Sequence, residues 1–401
     1  MKEIVIIGGG ASGMAAAIRA AGSPDRHITL LERQDRVGRK LLASGNGRCN
    51  LSNTAAAPGH YHGADPAFTA PALAAFPPAR VLAFFASLGL LTREEYGGRV
   101  YPRSDYAASV LDVLRFGLEQ PNISLRTGVA VTSAARDGDG FLLSWDGGRL
   151  RADKLIVACG GCAGAKLGGV SDGYRLLSQL GHSRTALYPA LTQLRTAPEF
   201  PRALKGVRVT AALSLLRGEH CLARTVDDVL FTETGLSGTA GFALSRFAAQ
   251  EPGLTAALDF FPELETEEVL AALRLRRRLW PDKPANQALT GMVQTRLGQM
   301  LCKAAGISGG DTLAALGDDA LAALAGLVKD LRLPVTGVSG FDSAQVTAGG
   351  MKTGEFDPET MESRLVPGLY ACGEVLDVDG DCGGFNLHWA WASGLLAGGA
   401  V

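Results

Sequence analysis

The chain lacks an excess of charge of either sign. Its 39 lysines and arginines meet 40 aspartates and glutamates, for a formal net charge of −1. No global basic field exists to hold nucleic acid or an anionic membrane, which leaves only a local patch for such a role. Long apolar runs are missing too: none reaches the roughly 18 residues that span a bilayer. Met1-Lys2-Glu3 leads straight into an apolar stretch with no room for a secretory signal, so a cytoplasmic protein without a membrane partner is expected. The seven cysteines are odd in number and follow no framework spacing. They read as reduced thiols rather than disulfides. Cys159-Gly160-Gly161-Cys162 is formally a C-x-x-C, but no second pair completes a zinc site, and small residues at a crowded strand end account for it. No metal site is expected.

What the chain does have is glycine and apolar bulk. It carries 52 glycines in 401 residues, with 47% hydrophobic and 20% charged residues. That is a globular composition, long enough for two or three domains with buried cores.

The first fifty-odd residues organise the rest. Ile4-Val5-Ile6-Ile7 is apolar without alternation, as in a buried parallel strand. Gly8, Gly10 and Gly13 then form G-x-G-x-x-G at the start of a helix, with Ala11 and Ser12 in its first turn. In a dinucleotide site the three glycines make the tight turn, admit the pyrophosphate and let helix meet strand. The free N–H groups at the helix start, with their partial positive charge, suit phosphate. A second apolar run, Ile28 to Leu31, ends at Glu32, about twenty residues on, where an acid accepts a ribose hydroxyl. Strand, glycines, helix and acid stand in the required order, and the acid points to FAD or NAD rather than NADP.

Arg33 to Asn53 is small, polar and cationic. Gly45 and Gly47 allow close backbone approach, and Arg39, Lys40 and Arg48 can neutralise phosphate or a flavin's electron-rich edge. Directly after a ribose-binding acid, this reads as a wrap around the cofactor rather than a plain surface loop.

The run Gly8–Glu32, joined to Gly38-Arg39-Lys40 and Ser44-Gly45-Asn46-Gly47-Arg48-Cys49-Asn50-Leu51-Ser52-Asn53, resembles the bacterial HI0933-like flavoproteins, also called BaiN-like or aminoacetone-oxidase-type. The second half is the more specific, because flavoproteins in general share only the glycine fingerprint. Near the other end, Cys372-Gly373-Glu374-Val375-Leu376-Asp377 and Gly383-Gly384-Phe385-Asn386 match again, so the resemblance spans nearly the whole chain. It implies FAD, held by Gly8, Gly10, Ala11, Ser12, Gly13, Glu32, Arg33, Arg39, Lys40, Ser44, Gly45, Asn46, Gly47, Arg48, Cys49 and Asn50. It adds the backbone of Val131 at the adenine, Gly160 and Gly161 after the strand at Lys154, and Gly373 with Glu374 at the ribityl chain. Gly384, Phe385, Asn386 and Leu387 complete the set, where a helix start aims N–H groups at the flavin's N1/C2 carbonyl edge and favours negative charge on the reduced ring.

Between these ends, Pro71 to Leu91 reads as helix broken at Pro77-Pro78, and Ser104 to Glu119 as an amphipathic helix. Gly97 to Pro102 is a turn into an extended piece; by the resemblance Tyr101 and Arg103 face the flavin, with ordinary packing the equal alternative. Strand signals cover Ile123 to Thr127, Val129 to Val131, and a hairpin of Phe141 to Trp145 with Arg149 to Arg151 about Asp146-Gly147-Gly148. Ser171-Asp172-Gly173-Tyr174 and Gly181-His182 match family segments, His182 reading as structural. Leu230 to Ala240 resembles the family's L-F-T-H-x-G-L-S-G-P-A, but Glu233 replaces the histidine and Thr239 the proline. If that histidine touches substrate, a different substrate is implied. Arg274 to Lys283 is the most basic stretch; it is the candidate RNA contact, against a solvated helix face balanced by nearby acids.

The expected fold is α/β: a Rossmann-like FAD/NAD(P)-binding domain whose first part is 1–189, a β-rich, barrel-like insertion at 190–262, a helical one at 263–332, and at 333–401 the end of the insertion followed by the second part of the FAD-binding domain. The substrate, a small molecule with RNA as the alternative, is expected between insertion and flavin; no oligomeric state is read. No second G-x-G-x-x-G follows a strand, so NAD(P)H can serve only as a transient electron donor. Cys382, His388 and Cys49 are the candidate catalytic groups, Cys382 as proton donor in double-bond reduction; singly, each is also accounted for as lining. The leading function is an FAD-dependent oxidoreductase delivering hydride to a polarised C=C bond. The alternatives are an oxygen-using amine or aminoketone oxidase, a ribosomal RNA dihydrouridine synthase, and a non-catalytic flavin sensor.

Overall fold

An apolar run without alternation has no face to give to water and needs cover on both sides. In the computed structural model, which describes residues 1–401, β1 (Lys2–Ile7) obtains that cover at the centre of a five-stranded sheet. Lys154–Val157 lies on one side of it and β2 (Arg26–Leu31) on the other, with Leu369–Ala371 and Ile123–Arg126 at the edges. All four pairings are parallel, with Val5 opposite both Leu155 and Thr29. Ile4, Val5 and Ile6 are fully buried.

The chain divides into two units, Met1–Tyr188 with Gln345–Val401, and Pro189–Ala344. In the first, α1 (Ala11–Ala20) packs on β1, β2 and the C-terminal helix Phe385–Ala400. Its alanines 15, 16, 17 and 20 are fully buried, because side chains this small let helix approach helix. The C-terminal helix matches them with glycine. A Cβ on Gly394 would stand 2.4 Å from the Ser12 carbonyl oxygen, and one on Gly398 would stand 2.3 Å from that of Ala16. The contacts advance four residues on each helix, so the two run in the same direction where they touch. A three-stranded antiparallel meander, Val131–Asp137, Gly140–Trp145 and Gly148–Ala152, completes the Rossmann-type arrangement. Its first strand begins at Val131, where the sequence pattern ends one, because Ser133 and Ala134 continue the pairing beyond the apolar signal.

The second unit contains a closed six-stranded barrel. Around it run Leu194–Thr196, Gly235–Ser237, His220–Phe231, Arg208–Arg217, Thr255–Asp259 and Leu331–Val338, the last pairing back to the first at Leu194 and Val338. Leu331–Val338 closes the barrel after three helices, Thr266–Leu279, Thr295–Ala304 and Asp318–Lys329, have intervened. Pro334 and Gly337 hide this strand from pattern reading, since both ordinarily interrupt one. The helix Gly238–Gln250 is likewise masked by the glycine and threonine at its start. No single helix is long and apolar enough to cross a membrane.

The adjacent glycines 398 and 399 test the helix crossing. Gly398→Ala pushes a methyl into the Ala16 backbone and is expected to destabilise by roughly 1–3 kcal/mol. Gly399→Ala meets only the flexible end of Arg19 at 3.5 Å and is expected to stay within about 0.5 kcal/mol of the parent in urea unfolding.

Candidate active site

The three glycines of the first turn are required for different reasons. A Cβ on Gly8, whose φ is +110°, would stand 2.4 Å from the Ala158 carbonyl oxygen, and one on Gly13 would stand 1.9 Å from that of Gly8. Packing inside the protein excludes a side chain at both. At Gly10 a Cβ would meet nothing within 4 Å, and its φ of −81° suits any residue. The open space over Gly10 therefore belongs to something other than the chain. No side chain caps α1 and no acid stands in its first turn, so the N–H groups of Ala11, Ser12 and Gly13 are offered to an anion. Glu32 closes the turn from the end of β2: its carboxylate accepts the Gly9 and Gln34 N–H groups at 2.7 Å each.

Around this turn the fold gathers residues far apart in sequence. Glu374, at the end of Leu369–Ala371, accepts Lys40 Nζ at 2.7 Å and the Thr347 N–H at 2.7 Å. A Cβ on Gly161 would stand 3.0 Å from Glu374 Oε1, and one on Gly373 would stand 2.5 Å from Ser12 Oγ. Gly8, Ser12, Lys40, Gly160, Gly161, Gly373 and Glu374 thus share one neighbourhood. Arg39 is turned to Gln34, donating to its Oε1 at 2.7 Å, and Arg33 is exposed. The Val131 carbonyl already accepts Arg175 Nη2 at 3.4 Å.

The second part of the site is the loop Ser44 to Asn50. Gly45, Asn46, Gly47 and Cys49 all have positive φ, at 56°, 57°, 83° and 60°. A left-handed non-glycine residue costs about 1–2 kcal/mol, and Asn46 and Cys49 both bear it. Backbone strain of this kind persists where the surroundings hold a particular presentation of the chain. Asn50 Oδ1 is buried without a partner, 2.7 Å from where a Gly384 Cβ would stand. Gly384 begins the C-terminal helix, which also lacks a capping side chain and an acid in its first turn. An orphaned acceptor beside unpaired N–H groups suits a ligand edge that carries both donors and acceptors. A flavin's pyrimidine edge is such a group, and FAD fits the residues present, of which Gly10 would take the pyrophosphate, Glu32 the ribose, and the loop with the C-terminal helix the ring.

Tryptophans and a serine tie that helix to both motifs. Trp391 Nε1 donates to the Leu51 carbonyl at 2.9 Å, Trp389 Nε1 to that of Gly373 at 3.2 Å, and the Gly373 N–H donates to Ser393 Oγ at 3.0 Å. The Asn386 side chain clasps the turn before the helix, through the Gly380 N–H and carbonyl at 2.8 Å each. Phe385 is buried, with the His60 ring stacked on it at 4.3 Å. Leu387 packs against the core at the edge of the same turn.

Two catalytic candidates lie inside the core. His388 is 0% exposed, its Nδ1 is 2.9 Å from Ser52 Oγ, and burial pushes its pKa down to about 4. Cys49 is also 0% exposed, and burial pushes its thiol up to about 12. Neither presents surface to a substrate; helical spacing turns His388 inward, and the left-handed turn does the same for Cys49. Cys382 remains half-buried beside Gly383. Arg48, expected at the cofactor, is instead held by Glu95 and Asp105 at 2.6 Å each and lies 4.1 Å over the Tyr101 ring. Arg103 is exposed. His182 is structural, with Glu355 and Ser363 Oγ each at 2.9 Å and Phe356 stacked on it. None of the seven cysteines is in a disulfide, and burial raises Cys159 to about 12.

Sequence reasoning missed a group beside Cys382. Asp381 accepts His60 Nδ1 at 3.0 Å and His62 Nε2 at 2.7 Å. It also missed Arg99, although the period of two in Arg99-Val100-Tyr101 puts Arg99 on the face of Tyr101.

A model of the family described as "HI0933-like protein Rossmann domain" matches residues 2–400. A 3-dehydro-bile acid delta(4,6)-reductase of Clostridium scindens is 41% identical, over 100% of this chain and 99% of that protein. A ribosomal RNA dihydrouridine synthase of Escherichia coli is 33% identical, over 98% and 96%. The crystal structure of a 3-ketosteroid delta1-dehydrogenase of Sterolibacterium denitrificans superposes with a TM-score of 0.52 over 99% of both chains, at 12% identity, which is a likeness of fold.

Two expectations test the site. Gly10→Ala leaves the stability of the FAD-free protein within about 0.5 kcal/mol and fills the cradle, so FAD retained through gel filtration drops at least tenfold. For His388, whose folded pKa lies below its ordinary value near 6.5, the unfolded chain binds the extra proton as pH falls. Its contribution is complete above about pH 6.5 and is lost as pH falls toward 4, by roughly 3 kcal/mol in all. Urea unfolding across that window is expected to show this slope in the parent and to flatten in His388→Asn.

Proposed function

The chain belongs to the HI0933-like family, and from that premise we propose that it is an FAD-dependent reductase that adds hydride to a carbon–carbon double bond conjugated to a carbonyl. The reading is carried by what two of its relatives have in common. One reduces the 4,6 double bonds of a 3-oxo bile acid by its name, and the other converts uridine to dihydrouridine in ribosomal RNA. In both, hydrogen is added across a C=C bond that a nearby carbonyl polarises. Bound FAD supplies the hydride; NAD(P)H, visiting transiently, replenishes it.

This chain's residues do the rest. The uncapped start of the C-terminal helix favours negative charge developing on the ring. Cys382, half-buried next to Gly383, gives its Sγ–H proton to the carbon next to the carbonyl.

A small molecule is favoured over RNA by the fate of the most basic stretch. Arg274 and Arg277 both pair with Asp318, at 2.6 and 2.8 Å, and Arg276 lies 4.8 Å over the Trp280 ring. Cations neutralised or stacked in this way release few counterions to a polyanion.

The test is anaerobic. The FAD-loaded protein is reduced with dithionite, freed of excess and mixed in turn with oxygenated buffer, a 3-oxo-4,6-diene bile acid and a ribosomal RNA fragment. The expected result is rapid flavin reoxidation by the bile acid, with one double bond of the diene reduced per flavin, and reduced flavin that lasts minutes in oxygen. Oxygen reoxidation at turnover rate, with peroxide, would replace this reading by an oxidase; salt-sensitive reduction of the RNA alone would replace the small molecule. Cys382→Ala is expected to slow bile-acid reduction by about 10²-fold without changing the rate at which dithionite reduces the flavin.

A further inference from the structure

A small antiparallel sheet lies beside the start of the C-terminal helix. Its central strand, Arg99–Pro102, pairs with Ser52–Asn53 on one side and Thr92–Glu95 on the other. Alternation puts Arg99 and Tyr101 on one face, opposite Glu95 and Arg93. Three arginines and two carboxylates meet in this region. Arg48 binds Glu95 and Asp105, and Arg93 binds the same two. Both carboxylates are drawn well below their ordinary range by these arginines. The two-on-two network is closed, and Arg99 is outside it.

Arg99 is half-buried and takes part in none of the side-chain hydrogen bonds or ion pairs of its neighbours. Its side chain reaches the glycine just before the helix start: a Cβ on Gly383 would stand 3.8 Å from Arg99 Nε. Asn53 fixes that glycine, donating to its carbonyl at 2.9 Å. Tyr101, raised chiefly by burial, is drawn back by Arg48 and Arg99 and pushed up by Cys382, so the phenol stands within electrostatic reach of both Arg99 and Cys382. A partly desolvated guanidinium with its donors unused is a local inconsistency of the kind proteins retain at working sites.

We propose that Arg99 is the substrate anchor, a guanidinium that binds the carbonyl oxygen conjugated to the double bond being reduced. This rests on the reductase reading above and names its substrate class: enones, and the imide carbonyls of uracil-like rings, rather than amines. As hydride from the reduced cofactor bonds to the β-carbon, the C=C electron pair shifts toward the carbonyl oxygen. Arg99 N–H groups hold the resulting enolate oxygen, and the α-carbon then takes the Cys382 proton, which solvent returns. Charge develops where fixed donors already stand, and such donors act on the transition state more than on the ground state. The same unpaired cation repels an ammonium group, so a protonated aminoketone is disfavoured in this site.

The experiment uses 4-nitrophenol, whose phenolate oxygen mimics the enolate and whose own visible absorbance reports its ionisation. It is titrated into the oxidised, FAD-loaded protein, the Arg99→Gln and Arg99→Lys variants, and Tyr96→Ala as an exposed control. The parent is expected to bind the phenolate and lower its apparent pKa. Arg99→Gln should weaken binding at least tenfold with FAD content unchanged, Arg99→Lys should restore part of it, and Tyr96→Ala should match the parent. With the bile acid as acceptor, Arg99→Gln should lower kcat by about 10²–10³-fold and alter KM much less. Equal phenolate binding by parent and Arg99→Gln, or no binding by the parent, would overturn the anchor. Phenolate binding that depends on Arg99 in a protein that reduces no enone would leave the anchor standing and remove the reductase reading instead.

Discussion

Two helices must come almost into backbone contact for this site to exist. α1 and the C-terminal helix meet through Ser12 on Gly394 and Ala16 on Gly398, at distances that admit no Cβ on the glycine side. They run in the same direction there, so the start of the C-terminal helix at Phe385 projects beyond that of α1. Nine residues separate Phe385 from the contact at Gly394, or about 13 Å at 1.5 Å per residue. One set of unpaired N–H groups is thereby placed over the glycine turn and a second set is carried forward to the loop at Ser44 to Asn50. A dinucleotide is a molecule of that form, with its phosphates at one end and a ring at the other. The sheet contributes by fixing where α1 begins, and the tryptophans at 389 and 391 contribute by fixing the rotation of the C-terminal helix.

Polar pairing divides the nearby residues between structure and chemistry. Arg48, Arg93, Glu95 and Asp105 satisfy one another, and Asn386 is used up on the turn at Gly380. His388 and Cys49 are held neutral by burial. Near the helix start, Arg99 stands outside these networks, with the half-buried Cys382 and the pair of histidines on Asp381 nearby. A cation, a thiol and a helix N-terminus suit a reaction in which negative charge appears on substrate oxygen and a proton is then delivered. Two relatives of the chain are named for chemistry of that kind.

The turn at Gly8 to Gly13, the acid at Glu32 and the parallel strands were legible because each depends on residues close in sequence and on backbone rules that leave few alternatives. The loop at Ser44 to Asn50 was legible by resemblance, and its run of positive φ explains why so many of its residues are glycine or asparagine. The barrel was legible only as β-rich sequence. Its closing strand carries Pro334 and Gly337 and follows three helices, so no local pattern marks it.

By itself, then, the sequence determined the cofactor class and the turn at the end of β1, because a glycine turn, a helix start and an acid are specified within some thirty residues of chain. The tertiary structure decided which side chains face it. Whether a histidine on a helix points to solvent or into the core depends on what packs against that helix. Whether an arginine is free depends on carboxylates brought from elsewhere in the chain. His388 lost its place in the chemistry by the first of these, and Arg99 gained one by the second, since burial and charge pairing are properties of neighbours that only folding supplies.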